Sequence, residues 1–223
     1  MPRSVDSHLS FWDFPLTNRG LQTFRGLFFI LWLSICLLAE CEGTKKDLES
    51  KVRSLKKKYG TKVTFNPLTA YKGLTVSTDK TYVESGGRNP DVPDNAERFS
   101  RNRALLGLPG FTSGKHYWEV EFGDQREWAV GVALERVARK VHLKLVPEEG
   151  IWQEGLWWFL ALENRSQTVP VRPGIIGVFL NYEAGKVTFY IEGKVIPKRA
   201  SFNGQKVVPF FYVGRHQHLK LKQ

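Results

Sequence analysis

Histidine and cysteine side chains are the first groups to consider in this chain as metal ligands or nucleophiles. Cys36 lies within an apolar N-terminal run, and Cys41 lies directly after it. Both cysteines are too close to this run to take part in a zinc site. His216 and His218 are two residues apart, so on a strand both imidazoles would share one face. A third ligand is missing from that pair. The sequence therefore predicts no metal site.

Catalytic motifs are also missing from the sequence. It contains no H-E-x-x-H, no G-x-S-x-G, no Walker sequence and no G-x-G-x-x-G. The adjacent acids Glu148 and Glu149 are typical of a solvated loop rather than of an acid–base pair. We therefore expect a protein that is not an enzyme and needs no cofactor, and that works by recognition.

Tryptophans are the side chains best suited to recognition, because they offer a large contact area and a polar N–H group. A predicted loop, Gly150–Phe159, carries Trp152, Trp157 and Trp158. For Trp152, a core position and a ligand-facing position both remain open. Trp157 and Trp158 are neighbours, so an extended backbone would point them to opposite faces. One of the two is therefore expected to face outward or into a groove.

Polar and basic side chains near this loop complete the predicted binding site. Asp124–Glu127 is a second short loop and contributes Gln125 and Arg126. Arg139 and Lys140 belong to a basic stretch that could meet an acidic partner, although a solvated surface is the alternative. The formal net charge of +11 predicts a weak attraction to acidic surfaces. No feature points to nucleic acid.

Short apolar runs separated by turn residues follow Thr61, and no long helical period interrupts them. Such a pattern predicts an all-β fold, a two-sheet antiparallel β-sandwich. Within Tyr117–Phe122 the alternation places Trp118, Val120 and Phe122 on a buried face. Trp128 begins a similar strand and is also assigned to the core. The predicted strands are Lys62–Phe65, Leu74–Ser77, His116–Phe122, Trp128–Ala133, Leu156–Leu162, Ile175–Asn181, Lys186–Ile191 and Val207–Val213.

An uncharged, mostly apolar run covers Gly26–Ala39. As a helix it would be about 21 Å long, short for a hydrocarbon core of about 30 Å and suited to a signal peptide. We predict a signal peptide over residues 1–43, with cleavage after Cys41 or Gly43, and a secreted protein. The alternative is an uncleaved anchor, because a lysine-rich segment follows directly.

That lysine-rich segment is predicted to be a short basic amphipathic helix over residues 44–60. Leu48, Val52, Leu55 and Tyr59 form one helical stripe, and Gly60 is a stop signal. The stripe is too short to specify a coiled coil. A dimerising or membrane-facing helix and a frayed, solvated linker are both consistent with it.

The remainder, residues 61–223, resembles the PRY-SPRY domain of butyrophilins and tripartite-motif ubiquitin ligases. The motifs occur in the family order: Phe65-Asn66-Pro67-Leu68, Glu97-Arg98-Phe99, Gly110 to Glu121, Trp128 to Ala133, Gly177 to Tyr190, and Pro209-Phe210-Phe211-Tyr212. The resemblance implies a sandwich that binds a protein or peptide with loops gathered at one edge. In ubiquitin-ligase relatives the segment corresponding to Gly150–Phe159 supplies aromatic walls to the ligand pocket.

A narrower resemblance is to the ohanin/vespryn family of secreted reptile venom proteins. It rests on Val92-Pro93-Asp94-Asn95, Gln125 to Gly131, Leu145 to Glu149, Gly155 to Trp158 and Phe202-Asn203-Gly204. The resemblance implies a monomeric neurotoxin that depresses movement, alters pain responses and acts on an extracellular receptor. The lysine-rich segment departs from this family and looks more like a butyrophilin juxtamembrane helix. A membrane-anchored or intracellular adaptor is therefore the alternative.

One further site depends on the compartment. Asn164-Arg165-Ser166 is an N-glycosylation sequon, which is meaningful only if the domain enters the secretory lumen. We expect a glycan on Asn164 if the protein is secreted.

Overall fold

The computed structural model describes residues 43–86, 92–123, 127–156 and 173–223. Contacts divide the chain into Met1–Asp47 and Leu48–Gln223. Of the first unit, only residues 43–47 are described, and they are helical. The predicted signal segment lies outside the described residues. Among the helices that are described, none combines the length and the apolar character needed to cross a membrane.

The second unit is built almost entirely from β-strands, which confirms the predicted fold class. Among the described residues, an α-helix, α1, covers residues 43–59, the first five of which belong to the first unit, and a short 3-10 helix covers Pro147–Glu149. The strands in chain order are β1 Thr64–Phe65, β2 Leu74–Val76, β3 Tyr82–Ser85, β4 Ala104–Leu108, β5 Lys115–Phe122, β6 Trp128–Leu134, β7 Ile151–Leu156, β8 Gly174–Asn181, β9 Lys186–Ile191, β10 Lys194–Arg199, β11 Val207–Val213 and β12 His218–Lys222.

These strands form two antiparallel sheets. The first sheet has five strands in the order β1-β4-β11-β6-β7, and the second has seven in the order β10-β9-β8-β5-β12-β3-β2. Strands next to each other in a sheet are mostly distant in sequence, as when β5 pairs with both β8 and β12. Because paired strands come from distant parts of the sequence, most of the described residues from 61 to 223 pack around the same core.

The main core lies between the two sheets and follows from strand alternation. Trp118, Val120 and Phe122 of β5 are buried there, which confirms the predicted face of that strand. Trp128 of β6 is also buried, and its ring stacks on Phe122 with the centroids 4.2 Å apart. Aromatic packing of this kind adds stability beyond the area that it buries.

The five-stranded sheet is covered on its outer face as well. A second apolar cluster lies there, and it includes Phe99, Leu143, Leu145, Ile151 and Phe210. Two hydrogen bonds fix the covering segment: the Asn102 side-chain amide donates to the Leu143 carbonyl, and the Leu143 amide donates back to the Asn102 side-chain oxygen. Residues 135–146 are thereby held against the sheet.

The strand β7 corrects one prediction. Residues 151–156 were expected to begin a loop, but they pair with β6 along their length. Ile151 points into the second cluster and Trp152 into the main core. Apolar Ile151 and Trp152 are followed by polar Gln153 and Glu154, so the segment lacks the regular alternation that usually marks a strand in a sequence.

Tyr117 departs from the simple alternation of β5. It lies on the outer face of its sheet, where the sequence suggests exposure, yet it is 1% exposed. Its partner in register is Phe179, and the neighbouring Gly177 leaves room for the phenol, since a Cβ there would lie 2.3 Å from the Tyr117 oxygen. The phenol donates a hydrogen bond to Glu119, and burial raises the pKa of Tyr117 strongly.

Candidate partner-binding end of the sandwich

The strand register brings two connections to one end of the sandwich. The connection between β5 and β6 holds the first predicted loop, and the connection between β7 and β8 holds only the last residues of the second. Trp128 at the start of β6 pairs with Leu156 at the end of β7. Phe122 at the end of β5 pairs with Gly174 at the start of β8. The connection 123–127 and the connection 157–173 therefore leave the sheets at the same level. Loops held by paired strands in this way are positioned by a rigid scaffold.

Most of the predicted binding residues lie on these two connections. Gln125 and Arg126, Trp157 and Trp158, and the sequon residue Asn164 fall outside the described residues. Their anchoring strand ends are described, and those ends lie next to each other. The strand pairing thus supports the grouping of the loops, while the orientation of the four side chains and the glycan remain predictions.

A third connection, residues 214–217 between β11 and β12, lies at the same end and was missed from the sequence. Val213 pairs with Trp128, and the Gly214 amide donates to the Glu127 carbonyl at 2.9 Å. A Cβ on Gly214 would lie 2.3 Å from the Glu127 Cβ, so the close approach requires glycine. The adjacent Arg215 and His216 are exposed. We refer to the connections 123–127, 157–173 and 214–217 together as the loop end.

A group of polar and charged side chains lies beside the strand ends that anchor the loop end. Tyr212 of β11 is partly buried there, and its pKa is raised first by burial and then by the charge of Glu127, against the opposing charge of Arg103. The Arg103 guanidinium donates to the Ser85 hydroxyl at 3.3 Å and lies 5.7 Å from the centre of the Tyr71 ring. An acid, a base and a phenol therefore lie together beside the start of β6 and the end of β11.

Trp152 does not belong to this end of the molecule. It is 4% exposed and packs edge-on against Phe202, with ring centroids 5.2 Å apart. Of the two alternatives left open by the sequence, the structure therefore selects the core position. Its expected role as a ligand-binding residue is corrected, because a buried indole cannot offer a surface to a partner.

Arg139 and Lys140 bind within the protein rather than at the loop end. Arg139 pairs with Glu97 at 2.8 Å, and Lys140 pairs with Asp94 at 2.9 Å. Lys140 also donates to the Asn95 carbonyl. Both cations thus fasten the segment 135–146 to the segment 92–99. Their predicted role in binding a partner gains no support from these contacts.

The histidine pair shows no metal-binding geometry. His216 lies in the connection with a left-handed backbone, φ 56°, and His218 begins β12, where its ring stacks on Tyr82. The two imidazoles therefore do not share one regular strand. Within the described ranges, no group of three or more potential metal-binding side chains occurs.

Comparison with known families gives two matches that cover most of the body. The SPRY-associated domain, PRY, matches residues 63–111, and the SPRY domain matches residues 115–222. SPRY domains are protein-interaction modules, so protein binding is the general activity of this chain.

The chain is also similar to individual proteins. It is 48% identical to ohanin of Ophiophagus hannah over 185 residues, 83% of this chain and 96% of ohanin. It is 48% identical to vespryn-21 of Drysdalia coronoides over 83% of this chain and 96% of that protein.

A solved structure of stonustoxin matches the fold. Its TM-score is 0.58 and its sequence identity is 26%, over 74% of this chain and 27% of the stonustoxin chain. The family domains, the two relatives and this fold neighbour agree with the sandwich described above. The chain is a toxin-like PRY-SPRY protein and belongs to the ohanin/vespryn family.

Proposed function

We propose that this chain is a secreted, non-enzymatic toxin that binds a protein or peptide receptor on an extracellular surface through its loop end. In this proposal it acts as a monomer and as a neurotoxin that depresses movement and alters pain responses. The observation that carries it is the convergence of the three connections at one end of a sandwich with a closed core. The relatedness to ohanin and vespryn-21 supports the toxin role.

The loop end suits binding better than chemistry. Its described base is held by paired strands and by the hydrogen bond between Gly214 and Glu127. Because this base is already fixed, less conformational entropy is lost there when a partner binds. We assign the contact surface to Gln125, Arg126 and the outward member of the pair Trp157 and Trp158.

A library of random peptides displayed on phage provides the probe for this surface. Peptides selected on the purified full chain should bind at least about tenfold more weakly to the variant of the outward tryptophan, Trp157→Ala or Trp158→Ala, because aromatic anchors dominate such interfaces. The melting temperature of that variant should stay close to that of the wild type.

Lys186→Ala provides a matched control at the opposite end of the sandwich, where Lys186 is exposed at the start of β9. It should leave binding of the selected peptides unchanged. Peptides that ignore both tryptophan variants but lose affinity for the Lys186 variant would place the binding surface elsewhere. A tryptophan variant that loses several kcal/mol of stability would assign that side chain to the core, since burial losses of about 3–5 kcal/mol are typical of tryptophan.

Secretion is tested separately by N-terminal sequencing of the protein made in a eukaryotic cell. A mature chain that begins at Glu42 or Thr44 and carries a glycan on Asn164 supports secretion. A chain that keeps Gly26–Ala39 and stays in the membrane fraction would instead support the anchored, butyrophilin-like adaptor.

A further inference from the structure

The helix α1 is amphipathic, and the part that follows Asp47 shows a clear division between its faces. Leu48, Val52, Leu55 and Tyr59 are each partly buried, while every residue between them from 49 to 58 is exposed. Successive residues turn by about 100° around a helix, so Arg53 and Lys57 lie opposite this apolar stripe. The helix therefore turns its apolar side inward and its cations outward.

Two contacts fasten this part of α1 to the seven-stranded sheet. The Tyr59 ring packs on Phe179 with the centroids 5.6 Å apart, and the Lys56 ammonium pairs with Glu119 at 2.6 Å. The Thr61 amide just beyond the helix donates to the Tyr117 carbonyl at 2.8 Å. The helix end is thus packed on the sandwich, which corrects the alternative of a frayed, solvated linker.

The cations that remain outside are not neutralised within the described part of the chain. Lys51, Arg53 and Lys57 have no ion-pair partner among the described residues, and Glu49 is the single acid between residues 48 and 59. The ammonium groups of Lys58 and of Lys115 on β5 lie 5.3 Å and 5.9 Å from the Tyr59 ring centre. We refer to Lys51, Arg53, Lys57, Lys58 and Lys115 as the α1 basic face.

We propose that the α1 basic face binds a sulfated polysaccharide of the heparan sulfate type. Clustered lysine and arginine are characteristic of surfaces that bind heparin and other polyanions. The cations from Lys51 to Lys58 follow the helix axis for about 10 Å, which suits a linear polyanion that lies along the helix. The serines Ser50 and Ser54 lie between the cations and add hydroxyl groups that can bond to sulfate oxygens.

The same observations disfavour the two other polyanionic partners. A helix that binds a membrane surface inserts its apolar side, but here the apolar stripe is partly buried and its Tyr59 packs on Phe179 of the sheet. Proteins that bind single-stranded nucleic acid stack bases on exposed aromatic rings, but Tyr59 is partly buried against Phe179. The α1 basic face offers positive charge and serine hydroxyl groups for recognition, and a densely sulfated chain suits both best.

Binding of the full chain to immobilised heparin tests the proposal. The triple variant Lys51→Gln, Arg53→Gln, Lys57→Gln should bind at least about tenfold more weakly at physiological ionic strength, with a shallower salt dependence, because fewer counterions are released. Glutamine is a good helix former, so α1 should persist. The variant Lys51→Arg, Lys57→Arg should bind like the wild type.

A charge-matched control separates a local site from diffuse attraction. The variant Lys72→Gln, Lys144→Gln, Lys194→Gln removes three exposed cations from other parts of the described surface. It should keep most of the affinity for heparin. An equal loss in both triple variants would overturn the proposal, because the net charge alone would then explain the binding.

The identity of the polyanion is tested with three competitors. N-desulfated heparin, vesicles of phosphatidylserine and phosphatidylcholine, and a single-stranded oligonucleotide should each compete poorly with heparin. Tighter binding to the vesicles or to the oligonucleotide than to heparin would replace the glycan with that partner. No binding to heparin by the wild type would also overturn the proposal.

Discussion

Two basic regions of this chain look alike in sequence and differ in what their charges do. In the segment 92–146, Arg98, Arg139 and Lys140 all bind carbonyls or carboxylates of the protein itself. In the helix α1, Arg53 and Lys57 face outward without a partner among the described residues. A basic run in a sequence therefore does not reveal whether its charges are available to a partner.

The contrast arises from the distance between partners along the chain. Glu97 and Asp94 lie more than 40 residues before the cations that they bind, and only the fold of the five-stranded sheet brings them together. Glu119 on the sheet already forms an ion pair with Lys56, so it does not neutralise the other cations of α1. The paired region should affect stability when altered, and the unpaired region should affect association.

The largest effect on stability is expected at Arg98. Arg98 is 6% exposed, and its guanidinium donates to the carbonyls of Pro93, Pro67 and Ala70. Arg98→Ala removes these charge-assisted bonds and leaves carbonyls unpaired, so the free energy of unfolding should fall by about 3 kcal/mol. Chemical denaturation of the full chain measures it. A loss below about 1 kcal/mol would contradict the structural role of Arg98.

A smaller effect is expected at Arg139, whose side chain is 13% exposed and pairs with Glu97 at 2.8 Å. Because Glu97 is well exposed, solvent weakens the ion pair, and Arg139→Ala should cost about 1 kcal/mol. Peptide binding at the loop end should stay unchanged in the same variant. Weaker peptide binding with unchanged stability would return Arg139 to the binding surface.

The third prediction concerns pH and the ion pair between Lys140 and Asp94. The hydrogen bond from Lys140 lowers the pKa of Asp94 below its ordinary value of 3.8. A carboxyl group with a lowered pKa stabilises the folded state above its unfolded pKa and loses that contribution as the pH falls through the folded pKa. NMR titration should find the Asp94 pKa raised toward 3.8 by Lys140→Gln. An unchanged value would show that this ion pair does not form in solution.

The smallest effect on stability is expected in the unpaired region. Lys57→Ala should change the free energy of unfolding by less than about 0.5 kcal/mol, since the side chain is exposed and alanine favours a helix. The denaturation experiment used for Arg98 measures it. A loss above about 1 kcal/mol would mean that Lys57 has a partner within the protein, and the contrast between the two regions would fail.

Much of the fold could be predicted because strand alternation is a local property. The buried faces of β5 and β6 follow from their own residues, and the motif order indicated the family. Contacts between distant segments could not be predicted in the same way. The burial of Tyr117 depends on Gly177, which lies 60 residues later in the chain. Trp152 packs in the core against Phe202, which belongs to a distant segment.

The binding site could be predicted in part for the same reason. Aromatic and polar residue types pointed to the loops Asp124–Glu127 and Gly150–Phe159. The strand β7 and the placement of the connections 123–127 and 157–173 at one end depend on the register of β5 to β8. The connection 214–217 has no sequence motif that predicts binding. Glycine is required at position 214 because the backbone there lies close to Glu127, and this contact is visible only in the structure. Arg139 and Lys140 pair with Glu97 and Asp94, which no local pattern shows, and these contacts give no support to a binding role.

Hydrogen exchange of the full chain, with and without a selected peptide, tests most directly the claim that recognition occurs at the loop end. We expect added protection to be largest in the connections 123–127, 157–173 and 214–217, and the strands β9 and β10 to show little change. Protection centred on β9 and β10 or on the segment 135–146, with the three connections unaffected, would contradict it.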